Sequence, residues 1–287
     1  MNKLRICLSG NAMDNLSGQP CSTYETARRF KLDGHDVTVV CLDGRWKDDY
    51  ILKINLMDLG VNCLYDHQLD NQYDVVFASE WCPDVDAVKI QTVRSEFDNE
   101  TPIKNMDFYI CIRPSIREHI IKEHNIPIEK TTIVFNGVDR DRFVPREKPK
   151  RDYKLIVSPC TIDGLRRRFL NRVIGEVNDA KGKLRLHIYG YNYGLKLIKS
   201  EWVTRFDPKF DIEKEIGEAD LVVGILLGRV NLEANSCKVP SLIYDPRTLK
   251  HETFFLTEET FDKLHNIKNT VKYLLQVYDT CRLNNQS

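Results

Sequence analysis

Three consecutive arginines, Arg166, Arg167 and Arg168, follow the apolar run Leu155-Ile-Val. Guanidinium groups hold phosphate oxygens in a planar, bidentate way; the same run also suits a solvated helix face. Glu233 lies in Leu232-Glu-Ala, which opens a predicted helix. A carboxylate there can accept two hydrogen bonds from a vicinal diol, or serve only as a partner for the helix dipole. The start of that helix, from Gly228 and Arg229 through Val230, Asn231 and Leu232, offers backbone N–H groups to a phosphate. A loop from Ser9 to Gly18 carries Gly10, Ser17 and Gly18 between an apolar run and a helical stretch. Its backbone N–H groups could meet a ligand, but Gly10 and Gly18 do not make the GxGxxG spacing. Glycines in such turns also serve steric needs alone. Glu80 and Trp81 follow another strand end, and Asn136-Gly137 suits a tight turn. His35, His119 and His187 have no metal-ligand spacing, and the nine cysteines include no CxxC pair. No metal is therefore expected.

These residues need a scaffold, and the chain reads as repeated βα units. Apolar runs at Leu4 to Leu8, Asp36 to Cys41, Asp74 to Ala78 and Phe108 to Ile112 alternate with helical stretches such as Ser22 to Asp33. A second series starts at Lys154-Leu-Ile-Val-Ser and continues through Leu184 to Gly190, Asp220 to Leu226 and Ser241 to Asp245. A helix from Thr260 to Tyr278 closes it. Strands alternating with helices argue for parallel, doubly wound sheets. Between the series, Arg140 to Lys154 is rich in charge and holds two prolines, marking a linker. The expected domains are 1–145 and 146–287, two α/β units facing each other across a cleft, which suits 287 residues.

Lys+Arg and Asp+Glu are equal at 42 each, so no global field favours nucleic acid or a membrane surface. No run approaches the ~20 apolar residues of a membrane span. Reduced cysteines and the absence of a recognisable leader read as a cytoplasmic protein.

The order of these features carries a resemblance. Asn136-Gly-Val-Asp, three residues, then Phe143-Val-Pro runs into the linker. Gly34-His-Asp-Val opens the second strand, and Gly228 precedes Leu232-Glu-Ala, with Pro240 before the next strand. In this pattern the chain resembles the GT-B fold retaining glycosyltransferases, especially glycosyltransferase family 4. The resemblance implies two Rossmann-like domains and a nucleotide-sugar donor, a UDP-sugar foremost, as co-substrate without a further cofactor. It places Glu233 on the ribose hydroxyls and one or more of Arg166, Arg167 and Arg168 on the diphosphate as it leaves. Arg168, Gly190, Tyr191 and Gly228 to Leu232 would line the rest of the donor site. Gly10, Ser17, Gly18, Glu80 and Trp81 would face the acceptor. Retention at the sugar carbon and independence from metal are further implications.

The pattern also departs from the family. An earlier glutamate, eight residues before Glu233, is here Ile225. The stretch Val88 to Glu96 lacks a histidine common in relatives and offers Arg94, Ser95 and Glu96 instead. The acceptor is left open as a saccharide, a small molecule or modified DNA. Compactness resembling viral enzymes, with basic residues from Arg140 to Lys154 and Arg113 and Arg117, keeps a phage-type DNA glycosyltransferase in view. A nucleotide-sugar epimerase and a non-catalytic nucleotide-sugar binder are further alternatives.

Overall fold

The computed structural model describes residues 2–10, 16, 18–42, 50–94, 101–225, 228–245 and 248–284. The first series forms β1 (Arg5–Gly10), α1 (Gly18–Leu32), β2 (Asp36–Cys41), α2 (Ile51–Asp58), β3 (Asn62–Tyr65), β4 (Val75–Ala78), β5 (Val88–Val93), β6 (Phe108–Cys111), α3 (Pro114–His124) and β7 (Thr131–Ile133). Its strands make one parallel sheet in the order β3-β2-β1-β4-β5-β6-β7. The near-continuous apolar runs have their cause here. Ile6, Cys7, Val39, Val40, Val75 and Val76 are buried, as strands covered on both faces require. Helix α1 starts four residues before the expected Ser22. Pro20 falls in its first turn, where a missing N–H costs nothing.

The second series forms β8 (Lys154–Pro159), α4 (Gly164–Asp179), β9 (Leu184–Tyr189), β10 (Val203–Phe206), α5 (Glu213–Gly217), β11 (Leu221–Ile225), α6 (Arg229–Ser236), β12 (Ser241–Tyr244) and β13 (His251–Phe254). The sheet order is β10-β9-β8-β11-β12-β13, parallel except for β13. Alternate residues of β8 feed opposite faces. Leu155 and Val157 join a core with Leu232 and Phe261, while Ile156 joins Phe169, Leu170 and Val173 of α4. Both sheets are thus doubly wound. Strand order reverses beside β1 in one sheet and beside β8 in the other, the places where such sheets take ligands at their carboxyl ends.

The last expected helix is two helices, α7 (Glu258–His265) and α8 (Ile267–Asn284). Asn266 breaks it: its side-chain oxygen accepts from the Lys268 N–H at 3.0 Å, an N-cap for α8. The compact units are not separated by a single cut near 145: the chain also returns to the first unit within α7, between Phe261 and Asp262. One unit joins Gln19–Gly137, with β1, to Asp262–Ser287; the other holds Val138–Phe261 with Leu16–Gly18. Helix α8 packs on the first unit, where Thr270 Oγ1 donates to the Phe135 carbonyl at 3.2 Å. His265 Nδ1 bonds the Asn136 carbonyl at 3.1 Å. Val138 and Phe143 are instead fully buried in the second unit's core. The Asn-Gly-Val-Asp segment therefore straddles the boundary, with the change of unit falling between Gly137 and Val138.

Candidate donor site on the second sheet and its counterpart on the first

The carboxyl end of β8 leads into α4 through Asp163. Its carboxylate accepts the Arg166 N–H at 2.7 Å, capping the helix, and pairs with the Arg166 guanidinium. Successive helical residues point about 100° apart, so the three arginines fan outward. Arg166 stays half-exposed at the first turn. Arg167 is exposed and donates through Nε to the Lys196 carbonyl at 3.1 Å, and Arg168 is exposed beside buried Phe169. Only Arg166 remains at the helix start. Cys160, just before it, is held up at about 11 by burial, with Asp163 adding to the effect and Ser158 and Arg166 opposing it.

Gly190 follows β9 where no side chain fits: a Cβ there would lie 2.0 Å from the Cys160 carbonyl oxygen. The Gly190 N–H donates to the Phe206 carbonyl at 3.2 Å, and the Tyr191 carbonyl accepts from the Ile162 N–H at 2.7 Å. Tyr191 thus ties the loop after β9 to the loop after β8, and Gly190 ties it to the end of β10.

Helix α6 follows β11. Gly228 is its N-cap in an extended conformation, with open space where a Cβ would stand. Fully buried Asn231 accepts from the Gly228 N–H at 3.5 Å and donates to the Leu242 carbonyl at 3.4 Å. Leu232 is buried in the core and Val230 packs against it. One turn further, Glu233 Oε1 accepts from Arg229 Nε at 2.5 Å; the two side chains are 9% and 12% exposed. No described residue donates to the second oxygen, Oε2. Ile225 closes β11 and packs on the α4-side core. Burial beside Glu233 pushes the Cys237 thiol up to about 12.

On the first sheet, Gly10 ends β1 and its carbonyl accepts from Trp81 Nε1 at 2.9 Å. Ser9 Oγ donates to the Trp81 carbonyl at 2.7 Å. Trp81 is a half-buried latch between the ends of β1 and β4, whereas Glu80 is exposed. Gly18 is the exposed first residue of α1, and Ser17, like Ser95 and Glu96, lies outside the described residues. A network that the sequence did not disclose links Arg94 Nη1 to Ser79 Oγ at 2.6 Å and Gln91 Nε2 to the Ser79 carbonyl at 2.9 Å.

Of the seven basic residues in the stretch proposed to meet DNA, five are ion-paired within the second unit. Arg140 pairs with Glu258, Arg142 with Glu213, Arg151 with Glu218, and Lys148 and Lys154 with Asp220. Arg117, in the first unit, donates to Thr131 Oγ1 and to the Ile128 and Thr131 carbonyls. Among the described residues no His, Cys, Asp and Glu cluster of metal-binding size occurs, and no helix is long and apolar enough to cross a membrane.

No protein-family model matches the chain, and no curated protein sequence matches it. Solved structures do. A glycosyltransferase from Rickettsia africae ESF-5 is 14% identical with a TM-score of 0.63, covering 100% of this chain and 98% of its own. HepE of Anabaena, solved with UDP-glucose, is 12% identical with a TM-score of 0.65 and 99% coverage of both chains. TarM of S. aureus, in a mutant complex that contains UDP, is 12% identical with a TM-score of 0.60, covering 96% and 93%. Coverage is nearly complete in each case, so the likeness extends over both sheets. The chain has the GT-B fold of these glycosyltransferases.

Proposed function

We propose that the chain transfers a sugar from a nucleotide-sugar donor, a UDP-sugar first among them, to an acceptor hydroxyl. The observation that carries this is the Glu233–Arg229 pair one turn into α6, at the carboxyl end of β11. The resemblance assigns a ribose-binding carboxylate to this position, and the chain shares its fold with a protein solved with UDP-glucose. Arg229 occupies one carboxylate oxygen and fixes the rotamer. The other oxygen is left to accept from a vicinal diol. The α6 N-terminus, with open space at Gly228, would meet the diphosphate through backbone N–H groups. Arg166 would share that charge, since Asp163 engages the near side of its guanidinium.

As the nucleoside diphosphate departs, these positive groups would stabilise its growing charge without a metal. The acceptor hydroxyl would attack from the same face, giving retention. Ile225 puts an apolar side chain where relatives carry a glutamate, so the donor sugar would make fewer polar contacts. The DNA-modifying reading is not carried further, because five of the seven basic residues between Arg140 and Lys154 are ion-paired.

The test is a thermal-shift titration with UDP, GDP and ADP on the wild type and on Glu233→Ala. A ligand at a hundred times its Kd adds about 2.7 kcal/mol of stability. Stabilisation by one nucleotide, lost in the variant, is the expected result. No stabilisation by any nucleotide would end the transferase reading. UDP-sugar binding with neither transfer nor hydrolysis would assign a non-catalytic binder, and interconversion of the donor without an acceptor would assign an epimerase.

A further inference from the structure

A slot opens within the first unit between β7, an edge strand of its sheet, and α8. Its volume is about 320 Å³, at the small end of the range for small-molecule sites. At ~30 Å³ per water-sized group, that is room for about ten non-hydrogen atoms, more than any aliphatic side chain supplies. One wall is the chain from Thr132 to Phe135. The other is Tyr273, Gln276, Val277 and Thr280 of α8, whose i, i+3, i+4, i+7 spacing puts them on one helix face. At ~1.5 Å per helical residue and ~3.3 Å per extended one, each wall is about 10 Å long, so the slot is about twice as long as it is wide. Phe108 and Leu264 complete the lining, in which no charged side chain occurs among the described residues. The Thr280 hydroxyl is spent on its own helix, donating to the Gln276 carbonyl at 2.9 Å.

The sheet edge along this slot leaves Ile133 open. In a parallel ladder alternate residues bond alternate neighbours. The Val134 N–H donates to the Cys111 carbonyl of β6 at 3.0 Å, so Thr131 and Ile133 turn their backbone groups away from β6. Thr131 is satisfied: its N–H donates to the Ile128 carbonyl, and its carbonyl accepts from Arg117 Nη2 at 3.3 Å. The outward N–H and C=O of Ile133 bond no described residue, and Ile133 lines the slot. An amino-acid residue in extended conformation can exchange both bonds with it, as two residues of an antiparallel pair do.

We propose that this slot binds an N-acyl amino-acid amide, its acyl chain lying between β7 and α8 and its N–H and following C=O paired with Ile133. The narrow, uncharged slot takes the chain, and the open sheet edge takes the polar group at its end. The proposal does not rest on the transferase reading, whose donor residues lie in the second unit.

The experiment is calorimetric titration of the full-length protein with N-acylglycinamides from hexanoyl to dodecanoyl, each below its aggregation concentration. Affinity should rise about fourfold per added methylene, then level off once the chain outgrows the slot. Octanoylsarcosinamide, which lacks the N–H, should bind about tenfold more weakly than octanoylglycinamide. Val277→Phe, which grows a ring into the slot from α8, should lose binding and keep the UDP thermal shift. If that variant fails to fold, Thr280→Phe supplies the same block from an exposed helix position.

No binding at any chain length, affinity that rises through dodecanoyl without levelling, equal binding of the sarcosine analogue, or indifference to the filling substitution would overturn the proposal. Acetylleucinamide binding as tightly as octanoylglycinamide would assign an ordinary extended peptide and overturn it too. So would a dimer, seen by light scattering, that the filling substitution dissociates, since the slot would then belong to a second copy. A UDP thermal shift without acyl binding would sink the slot and leave the transferase reading intact; acyl binding without any nucleotide shift would do the reverse.

Discussion

Arg229 and Glu233 face each other across one turn of α6, joined by an Nε to Oε1 hydrogen bond of 2.5 Å and nearly removed from solvent. Exposed pairs at this spacing contribute a few tenths of a kcal/mol, but a buried charge that loses its partner costs far more. Arg229→Met should therefore destabilise the protein by about 3 kcal/mol. Arg229→Met with Glu233→Leu should recover much of that loss, because no lone charge is left inside. Urea denaturation of both variants measures the coupling. A double variant no more stable than Arg229→Met would show that the pair is not the source of the cost. Nucleotide stabilisation should be lost in both.

Two glycines at strand and helix ends have opposite surroundings. A Cβ on Gly190 would overlap the Cys160 carbonyl at 2.0 Å, a backbone atom that cannot move without separating β8 from β9. Gly190→Ala should lower the melting temperature sharply or prevent folding of the second unit. Gly228 has open space and an ordinary negative φ of −108°. Gly228→Ala should melt with the wild type yet bind UDP more weakly, since the new methyl group would stand where the diphosphate approaches the α6 N–H groups. Equal UDP affinity in Gly228→Ala would remove that helix end from the donor site.

Gly137 is the last residue of the first unit before the chain crosses, and α8 returns onto it. A Cβ there would lie 2.6 Å from both the Ile267 Cα and the Thr270 Oγ1. Gly137→Ala should displace α8 and destabilise the first unit, and a fragment ending at residue 145 should fail to fold because it lacks α8. Proteolysis should then cut Gly137→Ala first near Asn266, where α7 and α8 meet. A fragment 1–145 with a cooperative melting transition would contradict this.

Much of the architecture was legible because parallel strands buried on both faces leave short, β-branched apolar runs bounded by polar residues, as at Val75 to Ala78 and Leu221 to Ile225. The Asn266 break was not. Asparagine interrupts a helical pattern only if its side chain caps the next turn, and the periodicity of Phe261, Val271 and Leu275 runs on past it. The return of α8 to the first unit is likewise a long-range contact, between Thr270 and Phe135, with no local signature. At the candidate donor site, the order of motifs singles out Glu233 and Gly228, but not the partners their side chains and neighbours take. That Arg166 folds onto Asp163, and that Arg94 joins Ser79 from a neighbouring strand, depend on directions that spacing alone does not give. Trp81 read as an acceptor residue because it follows a strand; its indole is committed to the Gly10 carbonyl.

The pH response should reflect two buried imidazoles, His35 and His265, and one half-buried, His187. Burial lowers the pKa of His35, His187 and His265 below the ordinary 6.5. Each is therefore neutral in the folded protein at a pH where the unfolded chain would bind a proton. Stability is complete above about 6.5 and falls as the pH drops from there toward the lowered folded values. His187 isolates the effect. Its Nδ1 is buried without a hydrogen-bond partner, and its ring packs edge-on against Tyr189 and Phe206. Phenylalanine keeps those ring contacts and removes both the buried polar atom and the titration. His187→Phe should raise the melting temperature at pH 8, because an unsatisfied group has gone. It should raise it further at pH 5.5, because one proton-linked loss has gone with it. The same gain at both values would mean that His187 does not titrate differently on unfolding, and would leave His35 and His265 to account for the acid side of the profile.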